Sequence, residues 1–332
     1  MGLIVGVVGA TGAVGSKMVE ILEERNLPIS SLRLFASEKS KGSTVLFKGK
    51  EIKVELLTEE AMRDSFDYLL FSAGGGVSEK FAPIASEAGN IVIDNSSQWR
   101  MTEGIPLVVP EVNSHVLKGY RGIIANPNCS TIQMVVALGP LHKSFGMKRI
   151  VVSTYQAVSG SGFKAIQELE NQVKDKNYPN EVYTRKIHGN CIPHIDVFYD
   201  NGFTKEELKM VYETQKIFEN KDIEVNATTV RIPVYYGHSE SITVEFEKTP
   251  EIHEVKEILE KADGVILMDN PKENCYPTPL EVENTDSTYV GRIRKDLFNP
   301  KCLSLWVVAD NLRKGAATNA VQIIEAMENI KL

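Results

Sequence analysis

Short, continuously apolar runs alternate with segments of helical periodicity through the first third of the chain. LIVGVVG (3–9) has the character of a strand buried on both faces, AVGSKMVEILEER (13–25) that of a helix, and SLRLFAS (31–37) that of a second strand. TVLFKGKEIKVELL reads as a hairpin turning at Gly49. DYLLFSA (67–73), a helix from about Val77 to Ala88, IVIDNS (91–96) and GIIAN (122–126) follow. Strands and helices in this rhythm predict a parallel, doubly wound α/β sheet. From Met147 the pattern changes to longer β-branched strands at 148–158, 226–236, 240–247 and 302–310, separated by helices at about 162–174, 204–218 and 251–262. These predict a second, α+β domain with a mixed sheet and helices on one face. The last helix, Leu312 to Ile330, places Leu312, Ala316, Ala320, Ile323, Met327 and Ile330 on one side.

Composition narrows the function more than the fold. The 332 residues are 42% hydrophobic and 24% charged, with a net charge of −7 and a pI near 5.6. That acidity argues against a nucleic-acid partner, which needs a basic face. No apolar run approaches the length of about 18 residues that marks a membrane span, and the N-terminus lacks the basic start of a signal peptide. The four cysteines (Cys129, Cys191, Cys275, Cys302) are widely spaced, without CxxC or a nearby histidine, so no metal site is expected. A reducing compartment, the cytoplasm, is the default.

Gly9, Gly12 and Gly15 fall between the first strand and first helix, where glycines let the backbone approach a pyrophosphate resting on the helix N-terminus. The spacing is GxxGxxG, and a strand–helix turn without ligand is the plain alternative. At the end of the second strand Glu38 could hold a ribose hydroxyl, as in NAD-binding folds, but Ser37, Lys39, Ser40 and Lys41 surround it. Hydroxyls and ammonium groups suit a 2′-phosphate better, so the loop predicts NADP.

In NPNCSTIQ (126–133) a cysteine follows a turn and stands at the head of an apolar helix, where helix N–H groups favour a thiolate. A buried structural cysteine reads equally well from this motif alone. Further along, Gln156 ends a strand in TYQAVSGSG, and Arg231 and His238 lie at opposite ends of RIPVYYGHS. Glu206 and Lys209 share a helical face, and Arg100 lies in a loop after a predicted parallel strand. Singly, each reads as solvated surface or core filling.

Jointly they do not. GATGAVG, NPNCSTIQ, TYQAVSGSG, IPHID (192–196), the EELK…ET.KI helix, VRIPVYYGHS and DNLRKGAA (310–317), in this order, resemble the aspartate-β-semialdehyde dehydrogenase family almost from end to end. The resemblance implies an NADPH-dependent reduction of aspartyl-4-phosphate to aspartate-4-semialdehyde through a cysteine thioester, a step of lysine, threonine and methionine biosynthesis. It implies a Rossmann domain over 1–127 with the C-terminal helix 312–332, and a catalytic, dimerising domain over 128–311, in a glyceraldehyde-3-phosphate dehydrogenase-like architecture. A cytoplasmic homodimer is expected, with small-molecule substrates and no membrane or nucleic-acid partner.

By the same resemblance Cys129 is the nucleophile, His238 the acid/base and Gln156 the residue orienting the acyl group. Arg231 and Glu206 hold the substrate's α-carboxylate and α-amino groups; Arg100 and Lys209 meet phosphate, with Asn128 nearby. Gly9, Thr11, Gly12, Ala13, Val14, Ser37, Lys39, Ser40, Ser72, Ser159, Gly160 and Asn311 fall on NADP positions. Cys191 departs from an expected apolar residue and is expected to pack as a small hydrophobe. N-acetyl-γ-glutamyl-phosphate reductase is the nearest rival, yet its acetylated amine gives Glu206 no charge to pair with. Glyceraldehyde-3-phosphate dehydrogenase would want a cysteine at position 133, which is Gln. A dinucleotide sensor without catalysis would have no need of Cys129, His238 and Gln156 together.

Overall fold

A computed structural model describes residues 2–329. The chain divides into two compact units: one holds the residues up to Pro127 and those from Ala316 onward, the other is Asn128–Gly315.

In the first unit, β1 (Leu3–Val8), β2 (Ile29–Ala36), β3 (Thr44–Phe47), β4 (Lys50–Leu56), β5 (Tyr68–Phe71), β6 (Ile91–Asp94) and β7 (Ile123–Ala125) form one sheet in the order β3-β4-β2-β1-β5-β6-β7. All neighbours are parallel except β3, which turns back on β4 at the sheet edge. Alternation along β1 divides its side chains between two cores. Val5 and Val7 pack among the Ala13–Glu24 and Thr318–Met327 helices; Ile4 and Val8 pack on the other side with Phe66, Leu69 and Ala82.

The second unit carries β8 (Met147–Gln156), β9 (Glu224–Arg231), β10 (His238–Phe246), β11 (Val265–Leu267), β12 (Thr288–Lys295) and β13 (Cys302–Ala309), in the order β11-β12-β13-β10-β8-β9. The sheet is mixed: β8–β9 and β11–β12 are parallel, the remaining pairs antiparallel. Helices Cys129–Phe145, Lys205–Ile217 and Ile252–Glu260 cover one face, where Leu138, Met210 and Leu259 meet Ile150, Ile242 and Leu305. Thr204 opens the second of these with a capping box, accepting from Glu207 N while the Glu207 carboxyl accepts from Thr204 N.

Three expectations are corrected. The final helix does not run unbroken from Leu312: Arg313–Ala317 is a π-helical turn, and the α-helix spans Thr318–Met327. Ile330 lies outside the described residues, and the second unit extends through Gly315, beyond the expected limit at 311. Cys191 is exposed, so it does not pack as a hydrophobe. Among the described residues no helix is long and apolar enough to cross a membrane.

Candidate active site

Gln156 closes β8, Arg231 closes β9 and His238 opens β10. Because β8 and β9 are parallel neighbours and β10 runs antiparallel beside β8, all three residues reach the same end of the sheet. Gln156 pairs with Arg231, and the Ser239–Tyr155 register places His238 across from Gln156. Residues opposite one another share a face, so three polar side chains gather on the helix-covered side. They are 1%, 5% and 0% exposed respectively, burial that demands partners.

The nucleophile candidate is built by a different device. Cys129 is the first residue of its helix, and the Asn128 side chain caps that helix by accepting from Ser130 N and Thr131 N at 3.1 and 3.2 Å. Asn128 is itself held twice by the Lys205–Ile217 helix. Its Nδ2 donates to Glu206 Oε1 at 2.8 Å and its backbone N–H to Glu213 Oε2 at 2.6 Å. Glu206 and Glu213 are seven residues apart, two turns along one helical face. On the far side a Cβ at Gly315 would stand 2.9 Å from the Cys129 Cβ, so the π-helical turn presses directly on the cysteine.

His238 has a defined proton. Its Nδ1 accepts from Ala157 N–H at 3.0 Å, which places the ring proton of the neutral imidazole on Nε2, a buried atom without a partner among the described residues. Burial, and then the charge of Arg231, lower its pKa to about 3 despite the opposing effect of Glu206. Gly160 makes room here, since a Cβ would lie 3.3 Å from His238 Nε2 and 3.1 Å from Arg231 Nη1. Arg231 donates through Nη1 to Ala157 O at 2.6 Å.

Glu206 is the hub of the remaining polar contacts. Burial alone would raise its pKa, but the Lys209 charge and the hydrogen bonds from Asn128, Lys209 and Gln156 bring it to about 2. Gln156 Nε2 donates to Ser130 Oγ and, at 3.2 Å, to Glu206 Oε1. Lys209 lies 3.0 Å from Glu206 and 2.9 Å from Asp196; burial works against its charge, but the two carboxylates raise its pKa overall. Two residues behind His238, Glu240 is fully buried, and burial pushes its carboxyl well above the usual carboxylate range. Ser159 and Asn311 bond to one another at 3.0 Å, and Asn311 Oδ1 accepts from Gly237 N.

In the first unit, the turn after β1 fits a dinucleotide pyrophosphate. Gly9 has a φ of +83°, and a Cβ there would stand 2.6 Å from Ser72 O; at Gly15 it would stand 2.1 Å from Gly9 O. Gly12 caps the helix without a side-chain hydrogen bond, so Ala13 and Val14 begin a helix whose N–H groups face outward. Thr11 Oγ1 reaches Ser40 Oγ at 3.2 Å. Glu38 is exposed and pairs with Lys41, while Ser37 and Lys39 are also exposed. Arg100, in the loop after β6, is buried and donates to Asn95 O at 2.9 Å.

Ser130, Ala157, Glu213 and Gly315 escaped the sequence reading. Only Glu213 left a usable signal, its spacing of two helical turns from Glu206.

Comparison with known proteins places this arrangement. A family model described as "Semialdehyde dehydrogenase, NAD binding domain" matches residues 4–120, and "Semialdehyde dehydrogenase, dimerisation domain" matches residues 138–314. The aspartate-semialdehyde dehydrogenase of Aquifex aeolicus is 55% identical over 98% of each chain. That of Bacillus subtilis is 47% identical over 100% of this chain and 99% of its own. The crystal structure of aspartate semialdehyde dehydrogenase II from Vibrio cholerae, complexed with ASA, covers 100% of both chains with a TM-score of 0.96 at 47% identity. Its two-unit fold, its helix-capped cysteine and this similarity over the whole length lead to one conclusion: the chain belongs to the aspartate-semialdehyde dehydrogenase family.

Proposed function

We propose that this protein reduces L-aspartyl-4-phosphate to L-aspartate-4-semialdehyde with NADPH through a thioester on Cys129. The observation that carries the substrate reading is Arg231. Its guanidinium is 5% exposed, its Nε has no acceptor, and no carboxylate pairs with it among the described residues. A buried cation without a counterion is costly, and a substrate α-carboxylate completes it with two charge-assisted bonds. Glu206, buried and ionised, suits the α-ammonium group of an aspartyl substrate. An N-acetylated substrate carries no ammonium charge for Glu206 to attract.

In this reading Cys129 attacks the acyl carbon as a thiolate, the form favoured at a helix N-terminus; a C–S bond forms and the C–O bond to phosphate breaks. His238 donates its Nε2–H to the acyl oxygen as negative charge gathers there, a role open to a neutral imidazole. It is the hydrogen-bonding form of the acid/base role. Gln156 orients the acyl group, and Arg100 and Lys209 are the cations for the phosphate, with Asn128 fixing the turn. When bound, a nicotinamide dinucleotide would supply the hydride; the thioester carbon would accept it and Cys129 Sγ would keep the electron pair of the broken C–S bond. Gly9, Thr11, Gly12, Ala13, Val14 and Ser72 would hold its pyrophosphate region, and Ser159, Gly160 and Asn311 its other end. NADP is favoured because Glu38 is taken up by Lys41, leaving Ser37, Lys39 and Ser40 for a 2′-phosphate.

On the face of the second unit's sheet turned away from its three covering helices, Tyr155 and Trp306 lie with ring centroids 5.4 Å apart, tilted at 44°, and we assign homodimerisation to that unit. None of the four cysteines forms a disulfide, which suits the cytoplasm. The deciding experiment follows NADPH oxidation with aspartyl phosphate beside N-acetylglutamyl phosphate. Turnover of aspartyl phosphate alone is expected; comparable rates, or turnover of the acetylated compound alone, overturn the proposal.

A further inference from the structure

Residues 175–192 contain no helix or strand, yet two buried side chains of the Phe163–Lys174 helix hold them from beneath. Glu168, fully buried, accepts from the backbone N–H of Glu181 at 2.8 Å and from that of Val182. Gln172, one turn later and equally buried, accepts at Oε1 from Ile187 N and His188 N, each at 3.1 Å, and donates to Asn180 at 3.2 Å. Four backbone donors of an irregular segment are thus satisfied by one helical face. At its far end Ile192 exchanges two backbone hydrogen bonds with Arg231, at 2.8 and 2.9 Å.

Tyr183 stands between these tethers. The Arg231 guanidinium lies 5.8 Å from its ring centroid, and the Tyr183 hydroxyl donates to Val158 O at 3.4 Å. Among the described residues Arg231 makes one side-chain hydrogen bond, from Nη1 to Ala157 O, and its buried Nε has no acceptor, so hydrogen bonds alone leave the plane of the guanidinium incompletely fixed. The Tyr183 ring beside it limits the remaining turn, and a guanidinium fixed in advance loses less rotamer entropy when it binds a carboxylate.

We infer that Tyr183 is a specificity-determining positioning residue: held by Glu168 through the backbone of residues 181–182, its ring sets the Arg231 guanidinium to receive the substrate α-carboxylate. The inference rests on the reading of Arg231 given above. Tyr183 acts through Arg231, so its loss weakens capture of the amino-acid substrate and leaves the chemistry of Cys129 and the phosphate site alone.

The test is steady-state kinetics in the direction of aspartate semialdehyde, phosphate and NADP, on the full chain with thermal midpoints recorded. Tyr183→Leu should raise KM for aspartate semialdehyde about tenfold, the scale of a desolvated cation–π contact. Its kcat and its KM for phosphate should stay within twofold. Tyr183→Phe, which keeps the ring, should behave as the parent. An unchanged KM in Tyr183→Leu, or a loss confined to kcat, or equal rises for both substrates, overturns the inference. If Tyr183→Leu does not fold, Glu168→Gln serves instead, with a rise of about threefold in the same KM expected and no rise overturning. Arg231→Lys separates the two layers. If its KM for aspartate semialdehyde is unmoved, the carboxylate reading itself fails; if it rises while Tyr183→Leu does not, only the inference falls.

Discussion

Gly315→Ala adds one methyl group at the place where the chain leaves least room for it. The new Cβ would stand 2.9 Å from Cys129 Cβ, 3.4 Å from Cys129 Cα and 3.5 Å from Asp310 O. Carbon atoms rest at about 3.5–4.0 Å, so the cysteine or the turn must yield by roughly 0.6–1 Å. The atom struck is the root of the side chain of Cys129, the proposed nucleophile, which no rotamer change can move away. Misplacing a reacting group by about 1 Å costs on the order of a hundredfold in rate. Overpacking costs about 1–3 kcal/mol, and the better helix propensity of alanine offsets about 1 kcal/mol of it. We therefore expect kcat to fall ten- to hundredfold while the thermal midpoint falls by only a few degrees. Steady-state kinetics, calorimetry and the alkylation rate of Cys129 by iodoacetamide measure the three quantities. A kcat within twofold of the parent, in a protein of unchanged stability, would refute the reasoning that this turn positions Cys129 for catalysis.

Other predictions draw on separate parts of the molecule. Cys129→Ser should abolish turnover but retain NADP binding by fluorescence titration. Unlike the mutant, the parent mixed with aspartyl phosphate and an inert dinucleotide analogue should release a burst of phosphate approaching one per site; equal bursts, or none in the parent, rule out the thioester. The ratio of kcat/KM for NADPH over NADH should exceed one and fall when Lys39 and Ser40 are replaced by alanine. A ratio at or below one in the parent would show that Glu38 governs that loop. His238 predicts an acid limb of stability. Its folded pKa of about 3 lies below its ordinary 6.5, so the unfolded chain binds more protons between those values and stability falls as pH drops through that window. In His238→Asn the thermal midpoint should fall less steeply from pH 7 to 4, whereas parallel curves would contradict the assignment.

The elements most readable from sequence were those with a strong period and clean ends. LIVGVV is buried on both faces and is a central strand, and the helix expected at about 204–218 runs over Lys205–Ile217. β11 and β12 were missed for identifiable reasons. Val265–Leu267 is too short to show alternation, and TYVGRIRK carries a register shift between Gly291 and Arg294, with Arg292 at a φ of +54°. The π-helical turn is invisible in DNLRKGAA because its residues suit an α-helix equally; the close contact with Cys129, 186 positions away in sequence, is what makes it matter. Gln156, Arg231 and His238 could be named from their motifs. Their convergence needed the strand order, which pairs β8 with both β9 and β10 and which no local pattern encodes.

Asn128 shows how narrow the alphabet of a position becomes when one side chain serves two ends. As a helix cap alone it could be Ser, Thr or Asp with little loss. Here the amide oxygen faces two backbone N–H groups while the amide nitrogen faces the ionised Glu206, with Glu213 on the backbone behind. Ser and Thr are too short to span both. Asp is almost the same shape and caps as well, but it would turn a donor into a second carboxylate oxygen against Glu206. The substitution that sequence scoring treats as mildest is therefore the one this turn rejects on charge, and a single-atom exchange, nitrogen for oxygen, separates a cap held by Glu206 from one repelled by it.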